Sequence, residues 1–156
     1  YYHLFGGPSS QDEYNQEMAI AEASLAALAE ASGEAEVTVD ENNVQVITDA
    51  AQLQNGAGLF VQYCAACHAN DGGGGIGPNF TDEYWIHGGG LNNIYRTIKV
   101  GVPQKGMISW DGQLSPAQMQ LLSNVIWNMR GTTPAVPKEP QGEIWSETTE
   151  TTGAGE

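Results

Sequence analysis

The sequence predicts an all-α domain of about four helices. Apolar residues recur at helical spacing in three segments, and side chains that cap helices stand ahead of several of them. No convincing strand appears beyond a possible short extended piece at Val37–Ile47.

Thr48 or Asp49 can cap a first helix running to about Cys67, with Leu53, Gly56 or Ala57, and Phe60 on one face. The run Gly72-Gly73-Gly74-Gly75-Ile76-Gly77-Pro78 that follows is a loop no helix tolerates. Thr81 can cap a short second helix through Ile86, closed by Gly88-Gly89-Gly90. Leu91, Ile94, Tyr95 and Ile98 then repeat at i, i+3, i+4, i+7, and Gly101 supplies the stop. The last helix is the best marked. Ser115-Pro116-Ala117-Gln118 is a capping box with Pro at the first helical position, Leu122, Val125, Ile126 and Met129 form the buried stripe, and Gly131 ends the run.

Charge divides the chain into three. Residues 1–54 hold ten acids and no Lys or Arg; residues 55–130 hold four acids and four bases; residues 131–156 hold five acids and Lys138. The net charge of −14 thus comes from the two ends and excludes charge-driven binding to nucleic acid or to an anionic membrane surface. Solvation is the plain reading of these acidic ends, and docking of a basic partner is the sharper one. No apolar run of membrane-spanning length occurs.

The two cysteines occur together, as Cys64-Ala65-Ala66-Cys67-His68. C-x-x-C-H is the pattern of covalent haem c attachment. On a helical turn the two thiols face one side, where each can form a thioether with a haem vinyl, and His68 projects toward the iron as an axial ligand. A redox dithiol would need a βαβ setting, a zinc site would need a second ligand pair, and both are missing; a structural disulfide is the remaining plain reading. G-x-G-x-x-G occurs at Gly72, Gly74 and Gly77, but it follows a helix rather than a strand, so dinucleotide binding is set aside. Asn79-Phe80-Thr81 matches a glycosylation acceptor and has no supporting context.

The expected architecture is therefore about four helices wrapped around one covalent haem. The sixth iron position has several candidates: Met18, Met107, Met119, Met129, His3, His87, or an open site. Met119 and Met129 belong to the terminal helix, where methionine at helical spacing is more often core filling. Met107 lies in a loop beside Gly106, which lets backbone approach a ring closely. Met107 is favoured, and His/Met ligation suits electron transfer rather than oxygen chemistry.

The order Gly56, Phe60, Cys64-x-x-Cys67-His68, Gly77-Pro78, Met107 and a terminal helix resembles that of class I cytochromes c, over about residues 48–131. The resemblance implies that Gly56 and Phe60 meet Val125, Ile126 or Trp127 where the first and last helices cross. It also implies that the Pro78 carbonyl accepts a hydrogen bond from His68 Nδ1–H. Within that class, the stretch from Gly77 to Gly89 is similar to part of the cytochrome c subunit (subunit III) of cbb3-type cytochrome c oxidases. Thr97-Ile98-Lys99, Gly106-Met107-Ile108, Trp110, and the ending Arg130-Gly131-Thr132 with Pro140-Gln141-Gly142-Glu143 agree, and the ending is similar to versions from Bacteroidetes-like bacteria. Many such subunits carry two haems; this chain has one motif and resembles the single-haem form.

That resemblance implies a chain that is no enzyme on its own. Its haem accepts an electron from a soluble donor, a small cytochrome or copper protein, and passes it to neighbouring subunits of a terminal oxidase in aerobic respiration. Trp110 and Arg96 are then candidates to hydrogen-bond the haem propionates, with packing or pairing at the surface as the plain reading of either, and Tyr84 and Trp85 are pocket wall. Residues 1–47 are then an acidic arm after a membrane anchor, 48–131 the haem domain, and 132–156 a flexible acidic tail. Tyr1, Tyr2 and Phe5 resemble the aromatic exit from such an anchor, so an apolar run of about 20 residues is expected ahead of Tyr1. The domain would face the periplasm at the inner membrane. Tyr14, Met18, Leu25 and Leu28 could form a sticky face on the arm. A free-standing soluble carrier, and a haem enzyme or gas sensor with a displaceable sixth ligand, are the competing readings.

Overall fold

A computed structural model describes residues 38–146. The acidic stretch before residue 38, with its candidate ligands His3 and Met18 and its helix face Tyr14, Leu25 and Leu28, lies outside the described residues. Four α-helices carry the domain: α1 (Ala50–Tyr63), α2 (Ala65–His68), α3 (Leu91–Val100) and α4 (Pro116–Asn128). None of the described helices is long and apolar enough to cross a membrane.

Asp49 caps α1, its carboxylate accepting from the Gln52 N–H at 2.8 Å. The helix ends at Cys64, and α2 restarts from it, so the expected single helix to Cys67 is two. Gly101, at φ 69°, stops α3. The capping box at α4 is complete: the Gln118 N–H donates to Ser115 Oγ and the Ser115 N–H to Gln118 Oε1.

Helices α1 and α4 cross at Gly56. A Cβ placed there would stand 2.8 Å from Val125 Cγ2 and 3.2 Å from the Leu121 carbonyl oxygen. Gly56 and Phe60 are buried and Ala57 is exposed, which decides between the two residues expected on this face. Phe60, Leu122, Val125 and Ile126 join Ile94, Tyr95, Ile98 and Met119 in the core. Met119 is fully buried there, as core filling. Gly56→Val should overpack this crossing by about 1–3 kcal/mol and lower Tm by roughly 4–8 °C per kcal/mol in a domain of this size. A far-UV thermal melt reads it, and an unchanged Tm would show that the crossing has room to spare.

The segment before α1 is not the expected extended piece: it turns at residues 40–43, where the Asn43 N–H donates to the Asp40 carbonyl at 3.0 Å, and it pairs with no strand among the described residues. Two asparagines take a neighbouring strand's part. The Val44 N–H donates to Asn92 Oδ1 at 2.9 Å, and the Ile47 N–H to Asn124 Oδ1 at 2.8 Å. In return Asn92 Nδ2 donates to the Asn42 carbonyl and Asn124 Nδ2 to that of Gln45. Asn124 is buried, and these bonds satisfy its amide in the core.

One expected element is absent. Residues 81–86 form no helix: the Thr81 carbonyl, which would accept a helix's first bond, accepts from the Gly131 N–H at 2.8 Å, and the Glu83 carbonyl from the Trp145 N–H at 3.1 Å. Asn79 Oδ1 accepts from both the N–H and the hydroxyl of Thr81, and Asp82 Oδ1 accepts from the Tyr84 N–H. Tyr84–Trp85 is instead a short strand, β1, antiparallel to β2 (Glu143–Ile144).

That pairing redraws the expected tail. Residues 132–146 run back across the domain rather than away from it. The Ala135 N–H donates to Asp71 Oδ2 at 2.8 Å, and the Lys138 N–H to the Gly73 carbonyl at 2.8 Å. These two amide donors, Ala135 first and Gly73 second, hold the Asp71 carboxyl below its ordinary pKa. Trp145 lies against Gly89 and Gly90, where any Cβ would meet its indole within 3.0 Å. Gly90 opens α3 at φ 85°. Residues 147–156 lie outside the described residues.

Candidate functional site

Cys64, Cys67 and His68 open onto a single cavity of about 1010 Å³. Its walls are mostly apolar: Tyr63, Phe80, Trp85, Ile94, Ile98 and Ile126 are among them, and Met107 and Trp110 line it too. The volume stands at the upper end for small-molecule and cofactor sites.

His68 is buried and held from three directions. Its Nδ1 is 3.0 Å from the Pro78 carbonyl oxygen, to which Nδ1–H donates. The Phe80 ring stacks on the imidazole, centroids 4.2 Å apart and planes inclined by 17°. Gly77 lies against the imidazole so closely that a Cβ there would stand 2.7 Å from both ring nitrogens. Burial lowers the His68 pKa, the Pro78 bond opposes that shift, and the Lys138 charge adds to it. The ring is thus kept neutral, with Nδ1 as donor and the Nε2 lone pair available to a metal.

Burial, with Cys67 next, pushes the Cys64 thiol up to about 11. A reactive dithiol needs the opposite shift, toward thiolate at neutral pH. Cys64 is half-buried in the cavity wall and Cys67 is exposed.

Among the described candidates for a second axial ligand, Met107 and His87 line the cavity. Met119 is in the core, and Met129 packs where a Cβ on Gly72 would meet its sulfur at 2.5 Å. Met107 sits on a closed loop. Its N–H donates to the Val102 carbonyl at 3.2 Å and its carbonyl accepts from the Val102 N–H at 2.9 Å. Gly106 makes the turn between them at φ 86°.

Two expected residues are not where the sequence put them. Arg96 is exposed on α3, its guanidinium Nη2 donating to Asn42 Oδ1 at 3.3 Å, and is not part of the cavity wall. The periodicity of α3 turns Ile94 and Ile98 inward and Arg96 outward. On β1, Trp85 lines the cavity and Tyr84 does not, since neighbouring strand residues face opposite sides. Trp110 is in the wall, edge-on to Tyr63 at 5.4 Å. Trp127, offered as a partner of Gly56, turns away to Trp85 and Trp145 with Arg130 over its ring.

Sequence reasoning assigned no role at the site to Phe80, nor to Lys138, Gln141 and Gly142 of the strap that residues 132–146 form, and all four are in the wall. One signal was present for Lys138, the single base among five acids in residues 131–156.

A covalent haem suits these residues. Two thiols, a neutral imidazole fixed by its far nitrogen and a thioether sulfur face one apolar cavity, and Gly77 leaves no spare volume on the imidazole's flank. Fold and site together define a c-type cytochrome domain. Residues 51–124 match the family of cytochrome c oxidase, cbb3-type, subunit III, and the chain is most like the c-type cytochromes of that family.

Relatives of known name agree. A cbb3-type cytochrome c oxidase subunit FixP of Rhizobium etli is 33% identical over 104 residues, 61% of this chain and 36% of that one. The subunit FixPc of Rhizobium leguminosarum bv. viciae is 30% identical over 143 residues, 86% of this chain and 48% of the relative. The chain spans less than half the length of these two relatives. The crystal structure of cytochrome CL from Methylophaga aminisulfidivorans is similar at a TM-score of 0.48, with 22% identity, covering 51% of this chain and 55% of that one.

Proposed function

We propose that this domain carries single electrons through one covalently bound haem c within a cbb3-type terminal oxidase. On this reading it accepts them from a soluble donor, a small cytochrome or copper protein, and hands them to neighbouring subunits and so to the oxygen-reducing core. The observation that carries the reading is the convergence of Cys64, Cys67, His68 and Met107 on one apolar cavity in a chain whose named relatives are oxidase subunits.

The bound haem would supply the one-electron iron couple. The protein's own residues do the rest. Cys64 and Cys67 would hold the ring through thioethers, and His68 and Met107 would ligate the iron. The Pro78 carbonyl keeps the imidazole in the tautomer that presents Nε2. Phe80, Ile94, Ile98 and Ile126 keep water from the site, which favours a high potential and a small rearrangement between oxidation states. Trp110 is the remaining candidate donor to a propionate. Chain context completes the proposal: an upstream anchor would hold the domain on the periplasmic side of the inner membrane, without catalysis of its own.

Expressed with haem loading, the chain should retain its haem through denaturing electrophoresis and titrate as a single one-electron step. Reduced chain should be reoxidised rapidly by the remaining oxidase subunits with oxygen present. A pigment extracted by denaturation, or no electron exchange with those subunits, would defeat the proposal.

A further inference from the structure

The strap brings one cation to the His68 side of the cavity, and it is held there by four hydrogen bonds. Lys138 Nζ donates to the Ile76 carbonyl at 3.1 Å and to the Gly77 carbonyl at 3.0 Å. Its backbone N–H donates to the Gly73 carbonyl, and its own carbonyl accepts from Asn79 Nδ2 at 3.3 Å. Residue 138 therefore ties together the two ends of the loop 73–79. That loop does two things for His68: Gly77 backs the imidazole, and the Pro78 carbonyl fixes Nδ1.

The loop has little else to stiffen it. It contains four glycines, and its own backbone N–H groups make three backbone bonds: Gly74 to the His68 carbonyl, Gly77 to the Cys67 carbonyl, and Gly75 to the Gly77 carbonyl. A Gly-rich segment has many alternative conformations, so an external tie has more effect here than on a helix. Bonds from an ammonium are also about twice as strong as neutral ones.

We propose that Lys138 is a positioning residue for His68, fixing the loop that orients the imidazole and placing a positive charge on that side of the site. Among the described residues no carboxylate pairs with Lys138; the ion pair found is Lys99 with Glu41. The charge thus stands near His68 with no paired carboxylate among the described residues. An iron that gains a positive charge on oxidation is disfavoured in that state by a neighbouring cation, so Lys138 raises the reduction potential. The potential effect rests on the haem reading above; the loop effect does not.

The test compares the haem-loaded wild-type chain with Lys138→Met and Lys138→Arg. Lys138→Met should speed amide exchange at Gly75 and Gly77 by roughly tenfold or more, leave exchange in α4 near wild type, and shift the midpoint potential downward. Lys138→Arg, which keeps charge and donors, should restore both. Exchange at Gly75 and Gly77 within about twofold of wild type in Lys138→Met would overturn the proposal. So would a general rise that includes α4, an unmoved potential, or a Lys138→Arg chain that behaves as Lys138→Met. Failure of haem to attach at all would instead defeat the haem reading, and the exchange comparison would still decide the loop effect.

Discussion

Gly77→Ala is expected to leave the helices standing and spoil the setting of His68. The added methyl would sit 2.7 Å from both ring nitrogens, nearer than carbon and nitrogen ever approach without a bond. The backbone at 77 has no left-handed φ, so alanine suits the main chain and the whole effect comes from lost space. Either the imidazole tilts or the loop swings out, and in both cases the 3.0 Å bond from Nδ1 to the Pro78 carbonyl is broken. Losing an outer hydrogen bond to a ligating histidine typically costs 10- to 100-fold in metal affinity. Gly77→Ala should therefore yield haem-poor protein, or protein whose oxidised spectrum is largely high-spin, with far-UV helicity near wild type. A low-spin spectrum at full haem content would show that the loop has slack that the close packing conceals.

Met107→Ala should open the sixth iron position. The loop that carries Met107 is held by two backbone bonds to Val102, so removing the side chain leaves the main chain in place. The reduced wild-type chain should be indifferent to carbon monoxide, and the reduced variant should bind it. His87 is the other described candidate in the cavity wall, which makes His87→Ala the proper control. Carbon monoxide binding by His87→Ala and not by Met107→Ala would transfer the ligand role to the histidine. Binding by the wild-type chain would favour a sensor or enzyme over a carrier.

The legible parts of the chain were those where chemistry is local. The capping box at Ser115, the Asp49 cap, the Gly101 stop and the spacing of Cys64, Cys67 and His68 each depend on residues a few positions apart. The helix expected from Thr81 failed for a distant reason: the Thr81 and Glu83 carbonyls accept from the N–H groups of Gly131 and Trp145. Arg96 follows its plainer reading, pairing at the surface, because the phase of α3 turns it to solvent. Phe80, the asparagine clamps at Asn92 and Asn124, and the strap over residues 132–146 depend on partners far along the chain. No spacing rule reaches across that distance. The acidity of the strap suggested solvation, whereas its ordering depends on backbone groups and on Trp145, which are indifferent to net charge.

The strap also has a consequence for the order of assembly. Its ties join residues far apart in sequence: Asp71 to Ala135, Gly73 to Lys138, Tyr84 to Ile144. Such long-range closures are the slow steps of folding, and during synthesis they wait for the distal residues to arrive. Until then Lys138, Gln141 and Gly142 are missing from the wall, while Cys64, Cys67 and His68 are already made. The strap acts as a seam sewn last, and the time before it closes is the natural interval for fitting a large rigid ring into so close a pocket.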